Sequence, residues 1–141
     1  MIKVLFVCVH NSARSQMAEA FLNRLGNGDF YAESAGIEPG RLNPMAIKVM
    51  EEIGYDIRHN STDSVFNFFK EGRTYSLLVK VCDQINGQKC PIFPMIHYVL
   101  DWNLEDPSGF EGTYEERLDK TRKVRDEIKA KVESLIAAYK D

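Results

Sequence analysis

The chain has 141 residues, 44% of them hydrophobic, with a net charge of -3 and an isoelectric point near 5.7. That length buries one core without disulfide staples or a structural metal, so residues 1–141 are expected to form a single domain that is stable as a monomer. The acidic balance excludes nucleic acid or an anionic membrane as the main partner, since both select a basic surface, and any anion site must therefore be local.

In chain order, Ile2 to Val7 is almost continuously apolar and reads as a parallel strand covered on both faces. The whole run to Val9 is too short to span a membrane and lacks the flanks of a signal peptide, which points to the cytoplasm. Cys8 follows this strand. Met17, Ala18, Phe21, Leu22 and Leu25 then recur at helical spacing, with Ser15 as a candidate cap and Gly26 as a stop. Phe30 to Glu33 is a short strand, Ser34-Ala35-Gly36 is turn-rich, and Pro44 to Ile53 is a second helix. Ser61 to Phe69 is a shorter helix capped by Ser61 or Thr62 and ended by Gly72. Leu77 to Val81 and His97 to Leu100 supply two more strands, and a long helix runs from Thr113 to about Tyr139 on a stripe of Val124, Ile128, Val132, Leu135 and Tyr139. Lys120, Arg122, Lys123 and Arg125 on that helix read as a solvated face or, less simply, a docking patch.

Strands alternating with helices imply a parallel sheet and a three-layer α/β fold, in which ligands bind beyond the carboxyl ends of the strands. Cys8, Cys82 and the loop holding Asp106-Pro107 all fall at such ends. Between Cys8 and the first helix, the six amides of Val9, His10, Asn11, Ser12, Ala13 and Arg14 can be turned inward as an anion cradle, aided by the helix dipole, with Ser15 completing the substrate-binding loop. Arg14 adds a planar fork for two oxygens of a tetrahedral oxyanion. The same field favours a thiolate, making Cys8 a nucleophile, with the Ser15 hydroxyl placed to donate toward it. A buried structural Cys8 is the plain alternative.

These residues carry a resemblance. Cys8-Val-His-Asn-Ser-Ala-Arg14-Ser15-Gln-Met-Ala-Glu19 resembles the signature of the low-molecular-weight tyrosine phosphatase superfamily, in its arsenate reductase branch. The similarity continues through Ser34-Ala-Gly-Ile, Asn43-Pro-Met-Ala-Ile, Val81-Cys82-Asp83, Cys90-Pro91-Ile-Phe-Pro94, Asp106-Pro107 and Val124-Arg125-Asp126-Glu127-Ile128. It implies a four-stranded parallel sheet in the order 2-1-3-4. It further implies that Cys8 attacks arsenate, that Asp106 protonates the leaving hydroxide, and that Cys8, Cys82 and Cys90 pass a disulfide outward for reduction by thioredoxin, with glutaredoxin and glutathione as an alternative donor.

A phosphatase on the same fold needs only one cysteine and is the competing reading; a redox-switched binding module is a third. Cys82 and Cys90 are what a phosphatase would not require, although Cys82 also suits a small buried residue and Cys90 an incidental loop position. Asp106 before Pro107 is equally an ordinary turn. Tyrosine phosphatases usually follow this Asp-Pro with an aromatic residue; here Ser108-Gly109 follows, which favours a small inorganic substrate. Some relatives place a potassium ion beside the asparagine matching Asn11, and the corresponding oxygen-bearing residues are Glu19, Ser34, Ser61 and Asp63, each of which also suits a cap or a surface group. His10 is the least typical residue of the loop: either only its amide serves, or its ring tunes Cys8.

Overall fold

The computed structural model describes residues 1–81, 93 and 96–140. Four parallel strands, β1 (Ile2–Cys8), β2 (Phe30–Gly36), β3 (Leu77–Lys80) and β4 (Tyr98–Asp101), form one sheet in the order β2-β1-β3-β4. Helices α1 (Arg14–Leu25), α2 (Pro44–Glu51), α3 (Val65–Lys70) and α4 (Tyr114–Tyr139) connect or follow the strands, and a short 3₁₀ turn covers Pro107–Gly109. Successive residues of β1 face opposite sides, yet Val4 through Cys8 are all buried, so both faces of the central strand are covered, as the unbroken apolar run predicts.

β2 is longer than the composition suggests. Ser34, Ala35 and Gly36 are strand, not turn, and pair in register with Phe6, Val7 and Cys8. Small side chains are needed here because the loop after β1 folds back over this end of the sheet. A Cβ on Gly36 would lie 2.7 Å from the Val9 carbonyl oxygen and 2.8 Å from the Asn11 nitrogen.

The caps also differ from expectation. α3 is capped by Ser64, whose Oγ accepts the Asn67 N–H, while Ser61 and Thr62 lie before the helix and bond elsewhere. α2 is capped by Asn43 and α4 by Thr113 in a reciprocal box with Glu116. α1 begins after Ala13 without any side-chain cap, and Ser15 lies inside the helix.

α1, α2 and α4 pack against one another. Leu118, Thr121, Val124, Ile128, Val132 and Leu135 form the buried stripe of α4, with Tyr139 half-buried and its ring 5.6 Å from that of Tyr98. The basic cluster on α4 is only partly a solvated face. Arg125 is buried and donates to the Val49 carbonyl and to Glu52, and Arg122 pairs with Glu52 and Asp119, so these two arginines fasten α4 to the end of α2. Among the described residues, no helix is long and apolar enough to cross a membrane.

Candidate active site

The strand-to-helix loop after β1 closes around the Cys8 sulfur. Its carbonyls are tied away, one after another. Those of Cys8, Val9, His10 and Ser12 accept from the backbone N–H groups of Ile37, Glu38, Gly40 and Asn43 at 3.1, 2.7, 3.0 and 2.9 Å. The Asn11 carbonyl accepts from Gln16 Nε2 at 3.1 Å. Across a trans peptide the C=O of one residue and the N–H of the next point in opposite directions. Five outward carbonyls therefore turn the N–H groups of Val9, His10, Asn11, Ser12 and Ala13 to the other side. The Asn11 N–H shows where that side is: it reaches Cys8 Sγ at 3.0 Å. Among the described residues, the amides of Ser12, Ala13, Arg14 and Ser15 have no acceptor, which leaves the amino end of α1 free for an anion.

Asn11 sits in the left-handed region at φ 54° and is completely buried. Its Oδ1 accepts the Asp63 N–H at 2.9 Å, and because a backbone amide can only donate, the amide nitrogen must face the other way, toward Ser15. Nδ2 donates to Ser15 Oγ at 2.8 Å, and Ser15 Oγ lies 3.0 Å from Cys8 Sγ. The hydroxyl thus accepts from Asn11 and has its proton left for the sulfur. Cys8 is itself 3% exposed. At the mouth, Arg14 Nη1 donates to the Leu104 carbonyl at 3.0 Å and Nη2 lies 3.4 Å from Asp106 Oδ2. Asp106 Oδ1 accepts both the N–H and the hydroxyl of Ser108, which leaves Oδ2 facing the loop.

The expected loop residues, Cys8 through Ser15, and Asp106 are therefore brought together. His10 uses its ring as well as its amide: Nδ1 bonds the Glu38 carbonyl at 2.9 Å on the exposed rim. Cys82 and Cys90 lie outside the described residues. Two participants carry no site role in the sequence alone, where Gly36 reads only as part of a turn. Gln16, 1% exposed, is a hub of four hydrogen bonds, and Gly36 is the floor on which the loop rests. Periodicity could not flag either, because it reports burial and not which hydrogen bonds or backbone contacts a residue makes.

Behind the loop, Glu19, Ser34, Ser61 and Asp63 line a cavity of about 460 Å³ together with Glu33 and Asn60. Asn11 does not line it but is joined to it by the Asp63 bond. Among the described residues, no group of three His, Cys, Asp or Glu side chains is placed to hold a metal ion, so a cation here would rest on mixed carboxylate, hydroxyl and carbonyl oxygens. Such an all-oxygen donor set fits a hard cation better than a metal that prefers thiolate or imidazole. Burial pushes the Glu19 carboxyl up to about 7, against the hydrogen bond it accepts from Ser34 Oγ at 3.0 Å, and the Glu33 and Asp63 carboxylates push it the same way as burial does. Arg73 also lines this cavity and pairs with Glu33, so the repulsion left for a further positive charge to relieve falls on Glu19 and Asp63.

Comparison with known proteins agrees with this geometry. A family model described as low molecular weight phosphotyrosine protein phosphatase matches residues 3–141. The glutaredoxin arsenate reductase of Synechocystis sp. is 40% identical over 138 residues, covering 97% of this chain and 98% of that protein. The arsenate reductase of Bacillus subtilis is 36% identical over 125 residues, covering 89% and 88%. A solved arsenate reductase in its phosphate-binding state superposes with a TM-score of 0.79 at 39% identity, covering 98% of both chains.

Proposed function

Because the chain belongs to the low molecular weight phosphotyrosine protein phosphatase family, among its arsenate reductases, we propose that it reduces arsenate to arsenite through a relay of its three cysteines. The run of outward-tied carbonyls around Cys8 Sγ, with Arg14 and Asp106 at its mouth, supports the oxyanion site, and Cys82 and Cys90 in the sequence, with the arsenate reductase relatives, favour reduction over hydrolysis there. Preorganised N–H groups and a guanidinium match a tetrahedral oxyanion, and they stabilise the charge that builds on its oxygens during attack.

The Cys8 thiolate attacks arsenic, and the departing oxygen takes a proton from Asp106 and leaves as water. Cys82, as thiolate, attacks the Cys8 sulfur: a disulfide forms, the sulfur–arsenic bond breaks, and its electron pair remains on arsenic, which leaves as arsenite. Cys90 then attacks Cys82, freeing the Cys8 thiolate and leaving a Cys82–Cys90 disulfide for an external dithiol to reduce. Thioredoxin is the proposed donor, since two cysteines beyond the nucleophile let the chain finish its own disulfide. The name of the Synechocystis relative makes glutaredoxin with glutathione the specific competitor. A reducing cytoplasm suits three working thiols.

Arsenate-dependent NADPH loss, followed with a thioredoxin system and separately with a glutathione and glutaredoxin system, tests both levels. Turnover is expected with thioredoxin, and its loss in Cys8→Ser, Cys82→Ser and Cys90→Ser. Full activity of Cys82→Ser and Cys90→Ser would overturn the relay; turnover with glutaredoxin alone would move the donor but keep the reduction.

Glu19, Ser34, Ser61 and Asp63 are the residues that would hold a potassium ion, with Asn11 joined to them through the Asp63 N–H. When bound, it would supply positive charge among these oxygen donors.

A further inference from the structure

Four of the five carbonyls that set the direction of the cradle are held by backbone amides, which no side-chain change short of proline removes. The fifth, that of Asn11, is held by a side chain, Gln16 Nε2. The same nitrogen lies 3.2 Å from Asn11 Oδ1 and 2.9 Å from the Ser61 carbonyl, and Gln16 Oε1 accepts from Asn60 Nδ2 at 3.1 Å. Gln16 therefore grips both the main chain and the side chain of a residue held in the left-handed region, and is itself anchored by the Asn60–Ser61 segment.

We propose that Gln16 is the positioning residue of the oxyanion cradle. By holding the Asn11 carbonyl outward it aims the Ser12 N–H at the oxyanion, and by steadying Asn11 it keeps Nδ2 on Ser15 and the Ser15 proton on Cys8. Gln16 touches neither substrate nor sulfur and acts only through Asn11. Its removal releases one peptide plane of the cradle and loosens the support of the nucleophile together, an effect that simple loss of stability does not have. The proposal rests on the reading of the loop as an oxyanion site.

Inorganic phosphate is the probe. Gln16→Met keeps the bulk and loses every hydrogen bond; Gln16→Glu keeps the shape and replaces the donor by an acceptor that repels both carbonyls. Each is expected to weaken phosphate binding, read by calorimetry, about ten-fold or more. Each should also slow alkylation of Cys8, mapped by peptide mass, and lower kcat for arsenate as well as raising KM. Asn60→Ala, which removes only the anchor of Gln16, should give a smaller change in the same direction. A merely structural Gln16 would lower the melting temperature and leave phosphate affinity and Cys8 alkylation at wild-type values in the folded variants, and that result overturns the proposal.

Nuclear magnetic resonance of the wild-type protein decides the case even where the variants do not fold. Phosphate should shift the Ser12 amide and the Gln16 side-chain Nε2 resonances together. A shift at Ser12 with none at Gln16 would sink the proposal, whereas a wild-type protein that binds no phosphate at all would instead sink the reading of the loop.

Discussion

The hydroxyl of Ser15 has two neighbours and one proton. Asn11 Nδ2 donates to it, so the proton is left for Cys8 Sγ at 3.0 Å, and the Asn11 N–H supplies a second donor to the same sulfur. Hydrogen bonds to a charged acceptor contribute about 1.5–3 kcal/mol, so Ser15→Ala should lower kcat/KM for arsenate roughly 10- to 100-fold, measured in the coupled assay. An unchanged rate would remove Ser15 from the mechanism. Asp106 makes a different prediction. Ser108 holds one carboxyl oxygen, and the other faces Arg14 and the loop. Asp106→Asn keeps the size and loses the transferable proton, so arsenate turnover should fall by about 10² or more while phosphate still binds within a few-fold of wild type. Loss of phosphate binding in that variant would mean that Asp106 organises the loop instead of serving as the acid.

At the scale of elements, the strand-end Gly36 and the uncapped start of α1 are two sides of one arrangement. Ser34, Ala35 and Gly36 read as a turn because their composition is that of a turn, yet they continue β2. The physical reason, invisible in the local sequence, is that Val9, His10 and Asn11 pack directly on Gly36. Likewise Ser15 reads as a cap because capping is what a serine near a helix start usually does. Here the sulfur competes for its hydroxyl, and Ala13 leaves the helix amides unclaimed. The apolar runs of β1 and β3 and the stripe of α4 were legible because burial alone dictates them. The role of Gln16 was not, since it depends on the left-handed turn at Asn11 and on anchors at Asn60 and Ser61 more than forty residues away. Gly36→Ala places a methyl against main-chain atoms that cannot swing aside, and overpacking of this kind costs about 1–3 kcal/mol. The loop must move, so phosphate affinity should fall about ten-fold or more in a variant whose melting temperature drops by only several degrees, measured by calorimetry beside a thermal melt. Wild-type phosphate affinity would show that the loop does not depend on its contact with β2.

At the scale of the whole molecule, the structure keeps a carboxylate where folding makes it costly. Glu19 lies on α1 behind the loop that follows β1, and burial together with Glu33 and Asp63 raises its carboxyl from 4.5 to about 7 despite the Ser34 hydrogen bond. The folded protein therefore holds this proton more tightly than the unfolded chain does. From about pH 4.5 upward the unfolded chain ionises freely while the folded one resists, so the contribution to stability declines as pH rises and is fully lost above about 7, by roughly 3 kcal/mol. Glu19→Gln removes that penalty and can still accept from Ser34. Its stability gain over wild type, from denaturant melts, should be near zero at pH 4.5, grow through pH 6 and level off above pH 7. A cation bound among Glu19, Ser34, Ser61 and Asp63 would compete with the same proton. Potassium chloride, compared with tetramethylammonium chloride at equal ionic strength, should then raise the wild-type melting temperature at pH 8, do so little at pH 5, and leave Glu19→Gln unaffected at both. A pH-independent gain for Glu19→Gln would assign the raised proton affinity elsewhere. Equal melting temperatures in the two salts at pH 8 would remove the cation from this cavity while leaving the loop around Cys8 as described.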